Sequence, residues 1–153
     1  MKRVIEKLIN ENKIISTMES CTGGAIANAI TNIPNASKVI MFSAVTYSNE
    51  FKIKMGVDKE LINKYTVYSM EVAQAMAKAI VDYTNSDYGV GVTGKLKKID
   101  ENNPFGEDDL VYLAIYDKNN DKYYNKKIKL NFNNRIDNKN QIINEFIELI
   151  LKI

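Results

Sequence analysis

The sequence predicts one α/β domain, a three-layer α/β/α sandwich with a mixed central sheet. Segments with helical spacing of apolar residues alternate with short strand-like runs, and a final helix is predicted over residues 135–152. Residues 88–93 are almost continuously apolar, which is typical of a central strand buried on both faces. Residues 110–116 and 123–132 flank a short polar turn and therefore predict a β-hairpin. Because 153 residues is the usual length of one domain, we expect residues 1–153 to share one core.

The first part of the chain predicts a helix, a strand, a tight turn and a second helix. Apolar residues recur at helical spacing over residues 4–10, and a β-branched run follows at residues 14–17. The turn-rich segment 19–24 leads into an Ala- and Ile-rich helix at residues 25–31. Residues 38–47 are rich in strand-forming side chains and predict the next strand.

The middle of the chain predicts helices and then a long loop. Residues 52–65 suggest short helical pieces interrupted at Gly56, and Ser69 is placed to cap a strong helix over residues 70–83. Residues 95–109 are polar and include a proline and a glycine, so we expect a loop that is long enough to serve a ligand.

The composition argues against nucleic-acid and membrane partners. The formal net charge is +2, and the lysines alternate with acidic residues, which leaves no basic face for nucleic acid. No apolar run approaches the roughly 18 residues of a spanning helix, and the N-terminus lacks the apolar core of a signal peptide. We therefore expect a cytoplasmic protein.

Histidine is absent from the chain, and cysteine occurs once, at Cys21. Without histidine, Ser-His-Asp catalysis, Cys-His catalysis and His-ligated metals are excluded. One cysteine forms neither an internal disulfide nor a Cys-rich zinc site. We therefore expect chemistry that uses Ser, Thr, Lys, Tyr or carboxylate side chains, with no metal and no cofactor.

The turn after the first strand has the sequence Glu-Ser-Cys-Thr-Gly-Gly over residues 19–24. Ser20 stands where the strand gives way to the helix, followed by Thr22 and two glycines. Backbone N–H groups at the start of the helix are expected to hold an anion there, either a phosphate or an oxyanion. Taken alone, the same pattern is also typical of an ordinary helix cap.

The segment after the second strand, Thr-Tyr-Ser-Asn-Glu-Phe-Lys at residues 46–52, offers a partner for Ser20. Because it ends a strand and begins a helix, Tyr47 and Lys52 are expected at the same sheet edge as Ser20. A desolvated lysine gives up its proton more readily and can act as base to a serine when histidine is absent. We therefore expect the Ser20 hydroxyl within hydrogen-bond reach of the Lys52 amine. The alternative is a solvated lysine beside a packed tyrosine.

These two segments, in this order and at this separation, resemble the sequence hallmarks of the C-terminal amidase domain of the competence-damage-inducible protein A (CinA) family. The Gly-Val-Thr-Gly of residues 91–94 is similar to the third hallmark of that family, and residues 131–141 around Arg135 are similar to its closing segment. The resemblance covers nearly the whole chain. We expect the stand-alone form, without the larger N-terminal nucleotide-binding domain that some members carry.

The resemblance implies hydrolysis of the carboxamide of nicotinamide mononucleotide to nicotinate mononucleotide and ammonia, in pyridine-nucleotide salvage, without a metal or cofactor. Carried over to matching positions, Ser20 is the nucleophile, Lys52 its base, and Tyr47 a proton relay or oxyanion donor. Cys21, the rival nucleophile, is expected to point into the core. The partner implied is a small-molecule nucleotide, and the family also suggests a homodimer. The substrate-binding residues implied in the same way are Thr22, Gly23, Gly24, Thr93, Gly94 and Arg135.

Two departures from the family pattern favour an alternative function. After its Gly-Val-Thr-Gly the family usually continues with Ile-Ala-Gly-Pro, whereas Lys95, Lys97 and Lys98 make this loop charged. At the start of the long helix, Met70 replaces a family glutamate, unless Glu71 substitutes for it. The alternative is a repurposed homologue that binds a nucleotide without turnover, and a different amide substrate is a third option. The loop lysines are expected either to hold a phosphate as flexible cations or to lie in solvent.

Overall fold

The computed structural model describes residues 1–97, 101, 104 and 106–153. The helices within those residues are α1 Lys2–Asn10, α2 Ala25–Thr31, α3 Asn49–Lys54, α4 Lys59–Tyr65, α5 Met70–Thr84 and α6 Arg135–Ile150. The strands are β1 Ile15–Glu19, β2 Ile40–Val45, β3 Tyr88–Gly94, β4 Leu110–Asp117 and β5 Lys122–Lys129. Every predicted helix and strand is present, with ends that differ from the predicted ones by a few residues.

The five strands form one mixed sheet in the order β2-β1-β3-β4-β5. β1 runs parallel to both β2 and β3, whereas β4 is antiparallel to β3 and β5. The predicted hairpin is therefore formed by β4 and β5. The predicted central strand is β3, which occupies the middle of the sheet with all of its residues buried. Parallel strands need connections that cross the sheet, and here helices supply those connections.

Helices cover both faces of the sheet, so the predicted three-layer architecture is confirmed. On one face, α1, α2 and α6 pack against β1, β3 and β4 through a large apolar cluster. On the other face, α4 and α5 pack through clusters that include Met18 of β1 and Ala114 of β4. Within the described residues, no helix has both the length and the apolar character needed to cross a membrane.

Two glycines in β3 let α5 lie directly against the sheet. A Cβ on Gly89 would fall 2.0 Å from the carbonyl oxygen of Ala77, and a Cβ on Gly91 would fall 2.0 Å from that of Ala73. Non-bonded atoms in a close-packed interior do not approach each other to 2.0 Å, so either substitution would push α5 away from the sheet. The contact fixes α5 over the part of the sheet that leads to the candidate site.

Two serines define where the helices near the site begin. Ser48 Oγ accepts a hydrogen bond from the backbone N–H of Phe51 at 3.2 Å, so α3 begins directly after β2. Ser69 Oγ accepts from the backbone N–H of Val72 at 3.3 Å, which confirms the predicted cap of α5. This cap forms without the glutamate that the family pattern carries in place of Met70.

The loop after β3 corrects one expectation. Lys95 is 4% exposed and is not a flexible cation, because its Nζ donates to the Asp108 carboxylate at 3.0 Å and lies 5.4 Å from the centre of the Tyr68 ring. The backbone N–H of Lys97 donates to the Asp108 carbonyl oxygen at 2.7 Å, and the Lys97 side chain is exposed. Lys98 lies outside the described residues. Pairing with an acid across the loop keeps Lys95 buried, and sequence spacing does not reveal that contact.

Candidate active site

The candidate site lies at the edge of the sheet where β1, β2 and β3 end. These strands are parallel, so the residues that follow them meet at one edge. The chain leaves β1 toward α2 on one face of the sheet, and it leaves β2 toward α4 and α5 on the opposite face. Such a reversal opens a crevice between neighbouring strands, which is where open α/β sheets bind ligands.

Ser20 and Lys52 form a buried hydrogen-bonded pair in this crevice. Lys52 Nζ donates to Ser20 Oγ at 3.0 Å and to the backbone oxygen of Thr46 at 2.8 Å. Ser20 is 6% exposed and Lys52 is 1% exposed. The backbone N–H of Ser20 donates to the carbonyl oxygen of Val92 at 3.0 Å, which ties the serine to the end of β3. The predicted contact between the serine and the lysine is therefore present.

Glu19 is wholly buried and holds the start of α2. Its Oε1 accepts from the backbone N–H of Ala27 at 2.8 Å and from Thr17 Oγ1 at 3.2 Å, and its Oε2 accepts from the backbone N–H of Ile26 at 3.1 Å. A carboxylate is favourable at the positive end of a helix. This corrects the expectation that the N–H groups at the start of α2 hold a phosphate or an oxyanion, because the Glu19 carboxylate occupies two of them.

The turn between Ser20 and α2 depends on two consecutive glycines. Gly23 and Gly24 have φ angles of 62° and 90°, left-handed conformations that other residues rarely adopt. Thr22, which precedes them, is buried, and its Oγ1 has no hydrogen-bond partner among the described residues. These three residues shape the turn that presents Ser20. Their substrate-binding role stays a prediction.

Cys21 points into the core, as predicted. It belongs to the apolar cluster that lies beneath α1, α2 and α6. Burial, together with the Glu19 carboxylate, raises the pKa of the thiol to about 12, although the nearby Lys52 and Arg135 side chains oppose the rise. A thiol with that pKa carries almost no thiolate at neutral pH, so Cys21 is a poor nucleophile.

Tyr47, Arg135 and Lys139 form the rim of the crevice. Tyr47 is 65% exposed, and its Oη accepts a hydrogen bond from Arg135 Nη2 at 3.3 Å. The Nζ of Lys139 lies 3.5 Å from the position that a Cβ on Gly23 would take. The first turns of α6 therefore bring two cations to the site. Lys139 is not among the predicted residues, although its position four residues after Arg135 places both on one side of a helix.

Thr93 and Gly94 end β3 next to the pair. Thr93 Oγ1 donates to the carbonyl oxygen of Val67 at 2.9 Å, which ties β3 to the segment that precedes α5. Gly94 has a φ of 152°, and a Cβ there would fall 2.5 Å from the carbonyl oxygen of Leu110 on β4. Both residues therefore have structural contacts of their own. A role in substrate binding stays a prediction for each.

The arrangement suits acyl transfer at a serine. The pair of Ser20 and Lys52 offers a nucleophile and a base, and the cations of α6 offer a place for an anionic group. In the part of the chain that the structure describes, no group of three or more acidic, His or Cys side chains is arranged to hold a metal. The fold and the site define an α/β domain with a buried serine–lysine pair at the carboxyl edge of its parallel strands.

Comparison with known proteins gives the family of this domain. A family model described as the CinA C-terminal domain matches residues 1–153, so the chain belongs to that family. A CinA-like protein of Endomicrobium trichonymphae is 37% identical over 147 residues, which are 94% of this chain and 33% of that protein. A Clostridium kluyveri protein with a provisional competence-damage inducible name is 41% identical over 120 residues, 77% of this chain and 29% of that protein. The matched part is therefore less than two thirds of either relative.

Two solved structures share the fold. The competence/damage inducible protein CihA of Agrobacterium tumefaciens has a TM-score of 0.87 at 27% identity, covering 98% of this chain and 90% of that chain. A CinA superfamily protein of Klebsiella pneumoniae has a TM-score of 0.89 at 20% identity, covering 97% of this chain and 91% of that chain. The architecture predicted from the sequence is thus the architecture of this superfamily.

Proposed function

We propose that the chain is an amidohydrolase that deamidates nicotinamide mononucleotide to nicotinate mononucleotide and ammonia. The observation that carries the proposal is the buried pair of Ser20 and Lys52, whose Oγ and Nζ lie 3.0 Å apart. Membership of the CinA C-terminal domain family supports it, as does the position of the pair at the ligand-binding edge of the sheet.

Acylation begins with attack of Ser20 Oγ on the carboxamide carbon. The neutral amine of Lys52 takes the hydroxyl proton across the 3.0 Å contact as the new C–O bond forms. The tetrahedral intermediate then breaks its C–N bond, and Lys52 returns the proton to the departing nitrogen, which leaves as ammonia. The acyl group of the nucleotide remains as an ester on Ser20.

Deacylation repeats these steps with water as the nucleophile. Lys52 takes a proton from the water as the water oxygen attacks the ester carbon, and then gives that proton to Ser20 Oγ as the ester bond breaks. The acid product leaves and loses its own proton to solvent. One water is consumed and one ammonia is released per turnover, and the Ser20 and Lys52 side chains return to their starting state.

The cations of α6 hold the substrate phosphate in this proposal. The Glu19 carboxylate already occupies the start of α2, whereas Arg135 and Lys139 lie at the rim beside Gly23. Because Gly23 has no side chain, a ligand can approach the turn closely under Lys139. The exposure of Tyr47 and its bond to Arg135 favour a role in holding the nucleotide over a role in proton relay.

Ammonia release from nicotinamide mononucleotide tests the proposal. We expect turnover by the wild-type chain and none by Ser20→Ala. EDTA should leave the rate unchanged, because a chain with no histidine and one cysteine offers no ordinary transition-metal site. Nicotinamide riboside, which lacks the phosphate, should react at least about 10-fold more slowly than nicotinamide mononucleotide. Lys139→Met should reduce this difference in rate between the two substrates. A wild-type chain that releases no ammonia from the nucleotide would refute the proposal.

A second candidate is a nucleotide-binding protein without turnover. The loop after β3 favours it, because this loop begins with Lys95, which is paired with Asp108, where the family pattern continues with Ile-Ala-Gly-Pro. Calorimetric binding of nicotinamide mononucleotide without any ammonia release would support this candidate over the amidase. The homodimer suggested by the family resemblance and the cytoplasmic location expected from the sequence stay predictions.

A further inference from the structure

The face of α6 that packs into the core begins with a polar residue. The buried residues of α6 recur every four positions, at Asn138, Ile142, Phe146 and Ile150, and the last three belong to the large apolar cluster. Asn138 is wholly buried with them. An amphipathic helix usually carries an apolar side chain at such a position, and a buried amide is unfavourable unless it is hydrogen-bonded. Asn138 is therefore expected to make a contact that an apolar residue could not make.

That contact is with the backbone of Phe132, in the segment that leads from β5 into α6. Asn138 Oδ1 accepts from the backbone N–H of Phe132 at 3.1 Å, and Asn138 Nδ2 donates to the carbonyl oxygen of Phe132 at 3.0 Å. One amide thus provides both an acceptor and a donor to the same residue. Because two bonds fix direction as well as distance, residues 132 and 138 are held in one relative position. Residues 132–138 are called the closed segment below.

Arg135 is the midpoint of the closed segment, three residues from each end. Inside the segment, Asn134 Oδ1 accepts from the backbone N–H of Asp137 at 2.8 Å and caps α6. The Arg135 side chain is exposed, and its Nη2 donates to Tyr47 Oη at 3.3 Å. A long exposed side chain binds a ligand more tightly when the backbone beneath it is fixed, because less entropy is lost on binding.

We propose that Asn138 is a positioning residue, whose two bonds to Phe132 hold Arg135 in place to meet the phosphate of the nucleotide. The inference rests on the proposed function, because that function assigns the phosphate to the cations of α6. Asn138 acts through the backbone and does not touch the substrate. The reacting serine and lysine stand on other elements, so Asn138 is expected to affect binding of the phosphate and not the acyl-transfer step.

Asn138→Leu is the first test variant, since leucine keeps a similar size, completes the apolar face of α6 and removes both bonds to Phe132. Asn138→Ala is measured beside it, because alanine removes the same bonds without placing a branched side chain in the core. Gln141→Leu is the matched control. The Gln141 amide also joins α6 to the preceding segment, accepting from the Asn131 N–H at 3.0 Å and donating to the Lys129 carbonyl oxygen at 2.9 Å. The control therefore loses two bonds of the same kind and keeps the closed segment.

Calorimetry gives the dissociation constants of nicotinamide mononucleotide and nicotinamide riboside, measured in a Ser20→Ala background so that turnover does not interfere. Asn138→Leu should weaken nucleotide binding by about 3- to 10-fold, the cost of ordering one long side chain, and leave riboside binding nearly unchanged. Gln141→Leu should keep both dissociation constants. In the chain with Ser20 intact, Asn138→Leu should raise KM for the nucleotide by a similar factor and change kcat by less than about 2-fold.

A double-mutant cycle with Arg135→Met separates positioning from general packing. If Asn138 acts through Arg135, Asn138→Leu should have little further effect on nucleotide binding once Arg135 is replaced. The melting temperature should fall in both Asn138→Leu and Gln141→Leu, since each variant loses two hydrogen bonds. Binding is therefore measured well below the lowest of these melting temperatures, and the comparison of ligands decides the outcome.

Unchanged nucleotide binding in Asn138→Leu and Asn138→Ala would overturn the inference, as would an equal weakening in Gln141→Leu or the same weakening in the Arg135→Met background. Equal losses for nucleotide and riboside would assign Asn138 to packing alone and would also overturn it. So would a nucleotide that binds the Ser20→Ala chain no more tightly than the riboside does. Failure of the proposed function has a different outcome, in which the wild-type chain releases no ammonia while Asn138→Leu still weakens binding of the nucleotide selectively.

Discussion

Lys52 and Lys95 are both buried lysines at the carboxyl edge of the parallel strands, and the hydrogen bonds described for them go to different kinds of acceptor. Lys95 donates to the carboxylate of Asp108 at 3.0 Å, and its ammonium lies over the ring of Tyr68. Lys52 donates to two neutral oxygens, the hydroxyl of Ser20 at 3.0 Å and the carbonyl of Thr46 at 2.8 Å. Burial alone therefore does not distinguish the two side chains.

The difference shows what separates a structural lysine from a candidate base. A hydrogen bond between a carboxylate and a charged ammonium is stronger than one between neutral groups, and Lys95 forms such a bond with Asp108. Neutral oxygens bind the amine in either protonation state, and a hydroxyl partner is itself the group that a serine amidase deprotonates. We therefore expect substitution of Lys52 to affect mainly activity, and changes to the pair of Lys95 and Asp108 to affect mainly stability.

Replacement of Lys52 by Met should give the largest effect on activity. Loss of the base should lower kcat by about 10³-fold or more. The free energy of unfolding should hold or rise, because an apolar side chain of similar length replaces a buried amine. Lys54→Met is the matched control, since Lys54 lies on the same helix, is exposed and pairs with Glu50. Equal activity in the two variants, measured as ammonia release, would remove Lys52 from the mechanism.

Replacement of Glu19 by Ala should give the largest effect on stability. Three donors lose their buried acceptor, so urea denaturation should show a loss of about 2–4 kcal/mol in the free energy of unfolding. Glu71→Ala serves as the control, because Glu71 is an exposed acid in the first turn of α5. A loss below about 0.5 kcal/mol, the range of ordinary surface substitutions, would mean that the carboxylate does not hold the start of α2.

Removal of the acid that pairs with Lys95 should give a smaller loss of stability. Asp108→Asn leaves a buried ammonium without its charge partner, and because Asp108 is half exposed the expected loss is about 1–3 kcal/mol. The double variant with Lys95→Met should recover part of that loss, which a double-mutant cycle measures. Lys97→Ala, a change of an exposed side chain in the same loop, should be nearly silent. Additive effects of the two changes would indicate that Lys95 and Asp108 do not interact in solution.

Cys21 should give the smallest effect on activity. Cys21→Ala should retain ammonia release, because the thiol lies in the core and takes no part in the mechanism. With a pKa of about 12, against 9.0 for an unperturbed thiol, alkylation by iodoacetamide at pH 8 should be about 10³-fold slower than in the urea-unfolded chain. The rate should increase as the pH approaches 12, where the thiolate forms. Rapid alkylation of the folded protein at pH 8 would contradict the buried position.

The sequence carries enough information for the fold and for the central pair. Apolar periodicity locates each helix and strand, and the continuous apolar run of β3 identifies the middle of the sheet. The juxtaposition of Ser20 and Lys52 follows from topology, because the ends of neighbouring parallel strands meet at one edge.

Contacts that depend on three-dimensional packing cannot be predicted from apolar periodicity and sheet topology. The Glu19 carboxylate takes the helix N–H groups that the sequence pattern assigns to an anion, and nothing in a strand-turn-helix pattern indicates which way a glutamate turns. The burial of Lys95 depends on an acid across a loop, and the approach of Lys139 to Gly23 depends on how α6 packs against α2. Each of these contacts depends on distances in the folded chain, which the periodicity of the sequence does not reveal.

Mass spectrometry of the chain quenched during turnover of nicotinamide mononucleotide tests the central claim most directly. An acyl adduct should appear on the peptide that contains Ser20, should persist in Cys21→Ala, and should be absent from Ser20→Ala, which should also release no ammonia. Loss of the adduct in Cys21→Ala, or undiminished ammonia release by Ser20→Ala, would contradict the account. The nucleophile would then lie outside the pair formed by Ser20 and Lys52.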